Sequence, residues 1–204
     1  MQELLKIIHN TPLKSNVTNS DSNQQHKGLR RRIPNAIMPA THTVGEERMD
    51  KQRSSRTCFL CGRQNPVGLK IVWYNDSEAK QVQATVTVPD HFNSYPGIVH
   101  GGIVAALLDE TSGRSLLVDE DMDSNLFVTL KLEVKYRRPV PTGQPLTLRG
   151  WTIQRTPTRA RVAAELLLAD GSRAAEAEAV VVRPRQEFFD NWEPEKKFWK
   201  VYND

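Results

Sequence analysis

The sequence predicts an α+β domain in which a curved antiparallel sheet encloses one central helix. Three observations predict it. Several segments alternate apolar and polar residues with a period of two, as strands do when one face of a sheet is dry. Residues 101–118 have helical length, and their run I-V-A-A-L-L at 103–108 is apolar around the whole circumference. Such a helix is buried on all sides, so something must wrap it, and the alternating strands are the available surface.

The elements follow in order. Residues 11–56 are rich in Ser, Asn, Gln, Arg and Lys without a sustained period, and N-V-T-N-S-D-S-N-Q-Q at 16–25 has the composition of a linker or disordered segment. The domain start is placed at Thr57. Residues 1–56 are then an extension, 57–184 the folded domain and 185–204 a C-terminal helical tail. Residues 69–74 read as a short strand. Residues 81–88 alternate strictly, with Val82, Ala84, Val86 and Val88 on one face. After the helix, the acidic run D-E-D-M-D at 119–123 marks a turn. Residues 127–136 alternate again, Val128, Leu130, Leu132, Val134 and Tyr136 against Thr129, Lys131, Glu133 and Lys135. Residues 146–154 change phase at Gly150, which reads as a bulge. Residues 159–168 place Ala160, Val162, Ala164, Leu166 and Leu168 inward. A-D-G-S at 169–172 signals a hairpin, and residues 172–182 return as a strand although their Ala and Glu favour a helix. The tail at 188–202 reads as a short amphipathic helix. Asp190 and Glu193 have capping-box spacing, Pro194 falls in the first turn, and Phe188, Trp192 and Trp199 are placed to dock on the sheet.

Composition narrows the function. With 38 % hydrophobic and 25 % charged residues, the chain fits a soluble globular domain carrying a polar extension. The net charge of +4 is concentrated in R-R-R at 30–32 and in residues 51–56, without the basic face and interleaved aromatics of a nucleic-acid binder. A polyanionic small molecule, such as a nucleotide-bearing thioester, needs only a few of these charges. No apolar run approaches the ~20 residues of a membrane span. The first ten residues carry Glu3 and Lys6 and lack the plan of a secretory signal, so the expected compartment is the cytoplasm. Two cysteines, Cys58 and Cys61, are too few for a disulfide scaffold. Their spacing suits a zinc knuckle, but a structural zinc takes four ligands. Only a second chain or the distant His42 and His91 could complete the set. A turn held by packing is therefore expected, with a redox pair as the alternative, and no metal is assigned. No phosphate loop, dinucleotide fingerprint or H-E-x-x-H run occurs, and no cofactor is expected.

The chemistry centres on Y-P-G-I-V-H-G-G-I-V-A-A-L-L-D-E at 95–110. Together with V-T-L-K-L-E-V-K-Y-R-R at 128–138, closed by Pro139, and C-F-L-C-G-R-Q-N-P-V-G-L at 58–69, it resembles the hotdog-fold acyl-CoA thioesterases of the 4HBT superfamily, in particular the PaaI-like group with an HGG motif. The likeness runs over residues 57–183. It implies a helix wrapped in an antiparallel sheet, a homodimer joined edge to edge or a dimer of dimers, and hydrolysis of an acyl-CoA to free acid and CoA.

The residues support that chemistry on physical grounds. Thioester hydrolysis needs an activated water and a polarised carbonyl. A helix N-terminus offers free N–H groups and partial positive charge, and two glycines there let a carbonyl approach the backbone. Gly101 is the first candidate oxyanion donor and Gly102 the second. The resemblance places His100 near the leaving sulfur. Either Asp109 or Glu110 is the base. Asp109 shares a helix stripe with the small residues Ala105, Ala106, Ser112 and Gly113. Glu110 stands i,i+4 to Arg114 and can pair with it. Asp109 also matches the acid position of the family, and it is the favoured choice. At 1.5 Å per residue, Asp109 lies ~12 Å along the axis from Gly101, so one chain cannot bring both to one carbonyl. A site shared between two protomers resolves this.

Two positions match the family pattern more loosely. Thr129 aligns with a hydroxyl residue that holds the water or the carboxylate. Ser94 stands where relatives often carry an asparagine, a departure that weakens the contacts there. Arg137 and Arg138, at the strand end, suit the phosphates of CoA. Two other functions remain open. One is a hotdog module that binds acyl-CoA without cleaving it. The other is a hotdog dehydratase or hydratase, whose helix glutamate is replaced here by Ala105.

Overall fold

The computed structural model describes residues 49–118 and 126–203. The linker at 16–25, the basic run at 30–32, His42 and the acidic run at 119–123 lie outside the described residues. The strands are β1 (Asp50–Lys51), β2 (Tyr74–Asp76), β3 (Gln81–Thr87), β4 (Asn93–Tyr95), β5 (Ile98–Val99), β6 (Val128–Tyr136), β7 (Pro145–Arg155), β8 (Arg159–Leu167) and β9 (Arg173–Val182). The helices are α1 (Gly101–Arg114), continued by a 3-10 turn over Ser115–Leu117, and α2 (Gln186–Trp192), continued by a 3-10 segment over Glu193–Phe198. Seven strands form one sheet in the order β1-β2-β3-β7-β8-β9-β6, every pairing antiparallel. The small β4-β5 hairpin leads into the helix.

The expected helix and its wrapping are both present. Val104, Leu107 and Leu108 of α1 are fully buried and join one core with Val82, Leu146, Leu148 and Leu166 from the sheet. The inward face of β8 is as the alternation requires: Ala160, Val162, Ala164 and Leu166 are all buried. The hairpin after it closes on Gly171, whose φ of +77° is open to glycine without strain. Residues 173–182 form a strand despite their helix-forming composition, because pairing with both β8 and β6 outweighs intrinsic propensity.

Four local expectations are corrected. Residues 69–73 are not a strand. Lys70 adopts a left-handed φ of 54°, which breaks the pleat, and pairing begins only at Tyr74. Gly150 is not a bulge. The register of β7 on β8 shifts between Thr152 and Gln154, and Gly150 instead marks the closest approach of helix to sheet. A Cβ there would stand 2.4 Å from the Thr111 carbonyl oxygen, so only glycine fits.

The regular alternation of β6 fails at its start. A register shift between Thr129 and Lys131 leaves Leu130 unpaired and 63 % exposed, and Tyr136 is 55 % exposed at the other end. β6 is the sheet's edge, so its outer side has no neighbouring strand among the described residues. The tail, finally, is not one capped helix. α2 starts at Gln186 without a side-chain cap, and Pro194 opens a separate 3-10 segment because it cannot continue an α-helix. Trp199 packs on the core and edge-to-face with Trp192 at 5.5 Å, whereas Phe188 stays exposed. The sheet also takes in Asp50, upstream of Thr57, and Ser54 bridges Lys200.

Candidate functional site

The helix start is fastened before it begins. The Val99 amide donates to the Val140 carbonyl and the His100 amide to the Phe92 carbonyl, which fixes the chain entering α1. His100 is the N-cap, and its Nδ1 accepts the Gly102 amide at 2.9 Å. That bond occupies one of the two glycine amides. The Gly101 amide finds no acceptor among the described residues, while the Gly101 carbonyl accepts the Tyr136 hydroxyl at 2.8 Å. Gly101 and Gly102 are therefore not equivalent: only the first offers a free N–H to a ligand in this arrangement. Ser94 sits exposed in β4, in the hairpin just ahead of the cap.

Two turns further along the helix, Asp109 and Glu110 separate as their stripes require. Glu110 accepts from Arg114 Nε at 2.7 Å. Arg114 is 3 % exposed, donates through Nη1 to Gln52 Oε1 and the Arg53 carbonyl, and lies 4.3 Å over the Trp73 ring. Glu110 is thus tied into a structural clasp that fastens α1 to the segment before the first turn.

Among the described residues no cation pairs with Asp109. Its Oδ1 accepts the Thr129 hydroxyl at 2.8 Å. Burial pushes the Asp109 carboxyl above its ordinary range, the Thr129 hydrogen bond opposes this, and the neighbouring Glu110 charge adds to the rise. The β6 register shift explains how Thr129 arrives there. Leu132 and Val134 pack on the core. A residue three positions before Leu132 would face the opposite side of a regular strand. The extra residue, Leu130, restores the phase and turns Thr129 toward the helix. Asp109 and Thr129 border a cavity of about 180 Å³ also lined by Glu110, Phe127, Val181 and Trp199.

The two arginines at the end of β6 are engaged. Arg137 Nη2 donates to Glu176 Oε1 at 2.5 Å, and Arg138 Nη1 donates to the Ser172 hydroxyl at 3.1 Å. Half of the Arg137 side chain remains exposed.

The structure brings together residues that the sequence order keeps apart. Asp109 meets Thr129, and Gly101 meets Tyr136. Neither Tyr136 nor the cavity wall from Phe127 and Trp199 was among the expected site residues. Alternation groups Tyr136 with the apolar residues of its strand, and only its position at the strand's end could single it out. Cys58 and Cys61 lie beside Glu110, with the three ligand atoms within 4.8 Å of one another. Cys61 is fully buried and Cys58 partly so. The neighbouring Cys58 thiol and Arg114 hold the Cys61 thiol down to about 6, against burial, and the Cys58 thiol is raised in turn by Cys61 and by burial. His91 lies against the Phe92 ring instead of this cluster.

A helix wrapped by a strongly curved antiparallel sheet, with a glycine-rich start and a half-buried acid in its third turn, defines a hotdog-fold protein. Comparison with known proteins agrees. The thioesterase superfamily matches residues 96–175. The chain is 33 % identical over 98 residues to a protein of Saccharolobus solfataricus named as an esterase, covering 47 % of this chain and 67 % of that one. It is 24 % identical over 102 residues to acyl-coenzyme A thioesterase THEM4 of Rattus norvegicus, covering 50 % and 42 %. Among solved structures, a thioesterase superfamily protein superposes with a TM-score of 0.56 at 29 % identity, covering 63 % of this chain and 61 % of that chain. A phenylacetic acid degradation-related protein of Ralstonia eutropha JMP134, titled as a thioesterase, gives 0.50 at 27 % identity, covering 56 % and 86 %. The chain belongs to the thioesterase superfamily. It spans about two thirds of the first relative and less than half of the second. Among the described residues no helix is long and apolar enough to cross a membrane.

Proposed function

We propose that the chain hydrolyses an acyl-CoA thioester, using Asp109 as the base and the Gly101 amide as the oxyanion donor. The observation that carries this reading is the half-buried Asp109 carboxylate held by Thr129 at the mouth of a cavity. A raised carboxyl is a better proton acceptor than an ordinary one, and the second Asp109 oxygen is left for a water. Asp109 takes a proton from that water as its oxygen bonds to the thioester carbon. The developing oxyanion rests against the Gly101 N–H and the positive end of α1. The C–S bond then breaks and the thiolate takes up a proton. His100 suits that last role. Because its Nδ1 accepts the Gly102 amide, the neutral ring carries its proton on Nε2, which is left as a donor toward the sulfur.

Gly101 and Asp109 are eight residues apart on one helix, ~12 Å along its axis. The reading therefore needs two protomers, with Gly101 and His100 from one and Asp109 and Thr129 from the other. The unpaired edge of β6, with Leu130 and Tyr136 exposed along it, is a surface suited to joining two such sheets. Arg138 and the exposed half of Arg137 supply cations for the CoA phosphates. Ser94, in the hairpin before His100, contributes a hydroxyl at the rim of the same helix start.

The test is release of free thiol from a panel of acyl-CoAs, read with a thiol-capture dye, for the wild type and for Asp109→Ala. Turnover that vanishes in the variant while acyl-CoA binding persists supports the hydrolase. Binding without turnover of any thioester by the wild type would instead define a module that holds acyl-CoA intact.

A further inference from the structure

We infer that Cys58, Cys61 and Glu110 form a binding site for a thiophilic divalent cation, zinc in the first instance, that staples the first turn of the domain to the central helix. The inference does not depend on the thioesterase reading.

Spacing alone argued against a metal, since two cysteines leave a tetrahedral ion half-ligated. The fold supplies a third donor that no local sequence pattern shows. Glu110 comes from a helix some fifty residues away in the chain, and one oxygen of it lies within 4.8 Å of both sulfurs. Ion-bound thiolate and carboxylate atoms about 2.0–2.3 Å from a common centre fall within that mutual separation. Thiolate sulfur and carboxylate oxygen are both zinc ligands, and two of the first with one of the second leave the fourth tetrahedral position to water. Sulfur donors select zinc over magnesium or calcium.

The surroundings are arranged as a ligand shell requires. The Leu60 amide donates to Cys58 Sγ at 3.3 Å, and the Ser55 amide to Cys61 Sγ at 3.5 Å. Ser55 Oγ also accepts the Cys58 amide at 2.9 Å, which closes the turn on itself. Gly62 follows Cys61 so tightly that a Cβ would stand 2.4 Å from the Cys58 carbonyl oxygen. Arg114 holds Glu110 by Nε, the outer contact that orients a ligating carboxylate. Charge points the same way. Two thiolates and the Glu110 carboxylate carry three negative charges against the single positive charge of Arg114, and a dication brings the sum to zero. On binding, thiol protons leave to solvent and two Zn–S bonds and one Zn–O bond form, with no change of oxidation state.

The staple would not replace Asp109. Glu110 lies on a different helix stripe, and the ion would set the position of the turn that carries both.

The experiment uses the full chain, reduced and freed of metal, then titrated with Zn²⁺ against a chromophoric chelator and, separately, with Co²⁺. One ion per chain and a sulfur-to-cobalt charge-transfer band are expected. Cys58→Ser and Cys61→Ser abolish both, and Glu110→Gln weakens zinc binding about 10-fold or more. A reduced, folded wild type that binds no zinc, or serine variants that bind it as tightly, overturns the inference. Should the serine variants fail to fold, labelling of the cysteines in the native wild type decides. Zinc is expected to slow labelling about 10-fold or more, with recovery on adding chelator. An unchanged labelling rate overturns the site.

Discussion

Thr129 Oγ1 and Asp109 Oδ1 stand 2.8 Å apart, joining the edge strand to the central helix at an acid that meets no cation among the described residues. The hydroxyl favours the charged carboxylate, whereas burial opposes it. Activity that needs the ionised acid is therefore lost as pH falls through the raised Asp109 value. Thr129→Val removes the opposing hydrogen bond, so the acid limb of the kcat/KM profile should move to higher pH. A limb that stays in place or moves down would separate Thr129 from Asp109 function.

Asp109→Asn makes a paired prediction. The folded carboxyl titrates above its unfolded value of 3.8, so the unfolded state is the stronger acid. Ionised Asp109 consequently weakens the fold, and this penalty grows as pH rises from the unfolded value through the folded one. The asparagine keeps the acceptor for Thr129 and carries no charge. It should lower turnover by about 10²- to 10⁴-fold and raise Tm at neutral pH, with the gain fading under acid. Thermal scans at two pH values, together with thiol-release rates, check both halves.

Gly101 tests the oxyanion assignment. A Cβ there would stand 3.7 Å from the Tyr136 ring, an ordinary contact that the fold accepts. Gly101→Ala should fold with Tm unchanged or higher, since alanine is the better helix former. Its turnover should drop by about 10²-fold, because the methyl group meets the incoming carbonyl. Unimpaired turnover in a folded variant would move the oxyanion site elsewhere.

The proposed two-protomer site makes Leu130 a marker of assembly. Replacing it with lysine puts a charge on the unpaired edge of β6, a substitution that discourages edge-to-edge pairing. Sedimentation velocity should show the wild type as a dimer or larger and Leu130→Lys shifted toward monomer, with turnover falling in parallel. A monomeric wild type with full turnover would contradict the shared site.

Two glycines should respond in opposite directions. Gly150→Ala drives a methyl group into the Thr111 carbonyl and should cost about 1–3 kcal/mol. Gly113→Ala meets nothing within 4 Å on an α-helix and should stabilise by about 0.5–1 kcal/mol. Urea melts of the two variants read the difference directly.

Much of this was legible in residue order. A helix apolar on every side and strands of period two are both consequences of burial, and burial is what the wrapped helix supplies. Glu110 pairing with Arg114 followed from helical spacing alone. What stayed hidden depends on residues far apart in the chain. Gly150 announced an irregularity, but only the approach of Thr111 says which kind. The alternation of β6 gave no hint of the extra residue at Leu130, because a shift of register is set by the partner strand. For that reason the orientation of Thr129 could not be read from its own strand. The third donor beside the two cysteines was equally invisible, since it arrives from a separate helix.

Lys51 and Tyr202 are 151 positions apart, yet Lys51 Nζ donates to the Tyr202 carbonyl. Ser54 pairs with Lys200 beside them, and Arg114 lies over Trp73 and, at 5.5 Å, over Trp199. A chain growing from the ribosome holds its early residues long before their partners emerge. The contacts of Lys51, Ser54 and Arg114 with the tail therefore form only after translation has passed Tyr202, and contacts this distant in sequence belong to slow-folding topologies. Until that moment the Arg114 guanidinium has the Trp73 ring but not the Trp199 ring against it, so nascent chains halted short of the tail carry that contact half-made.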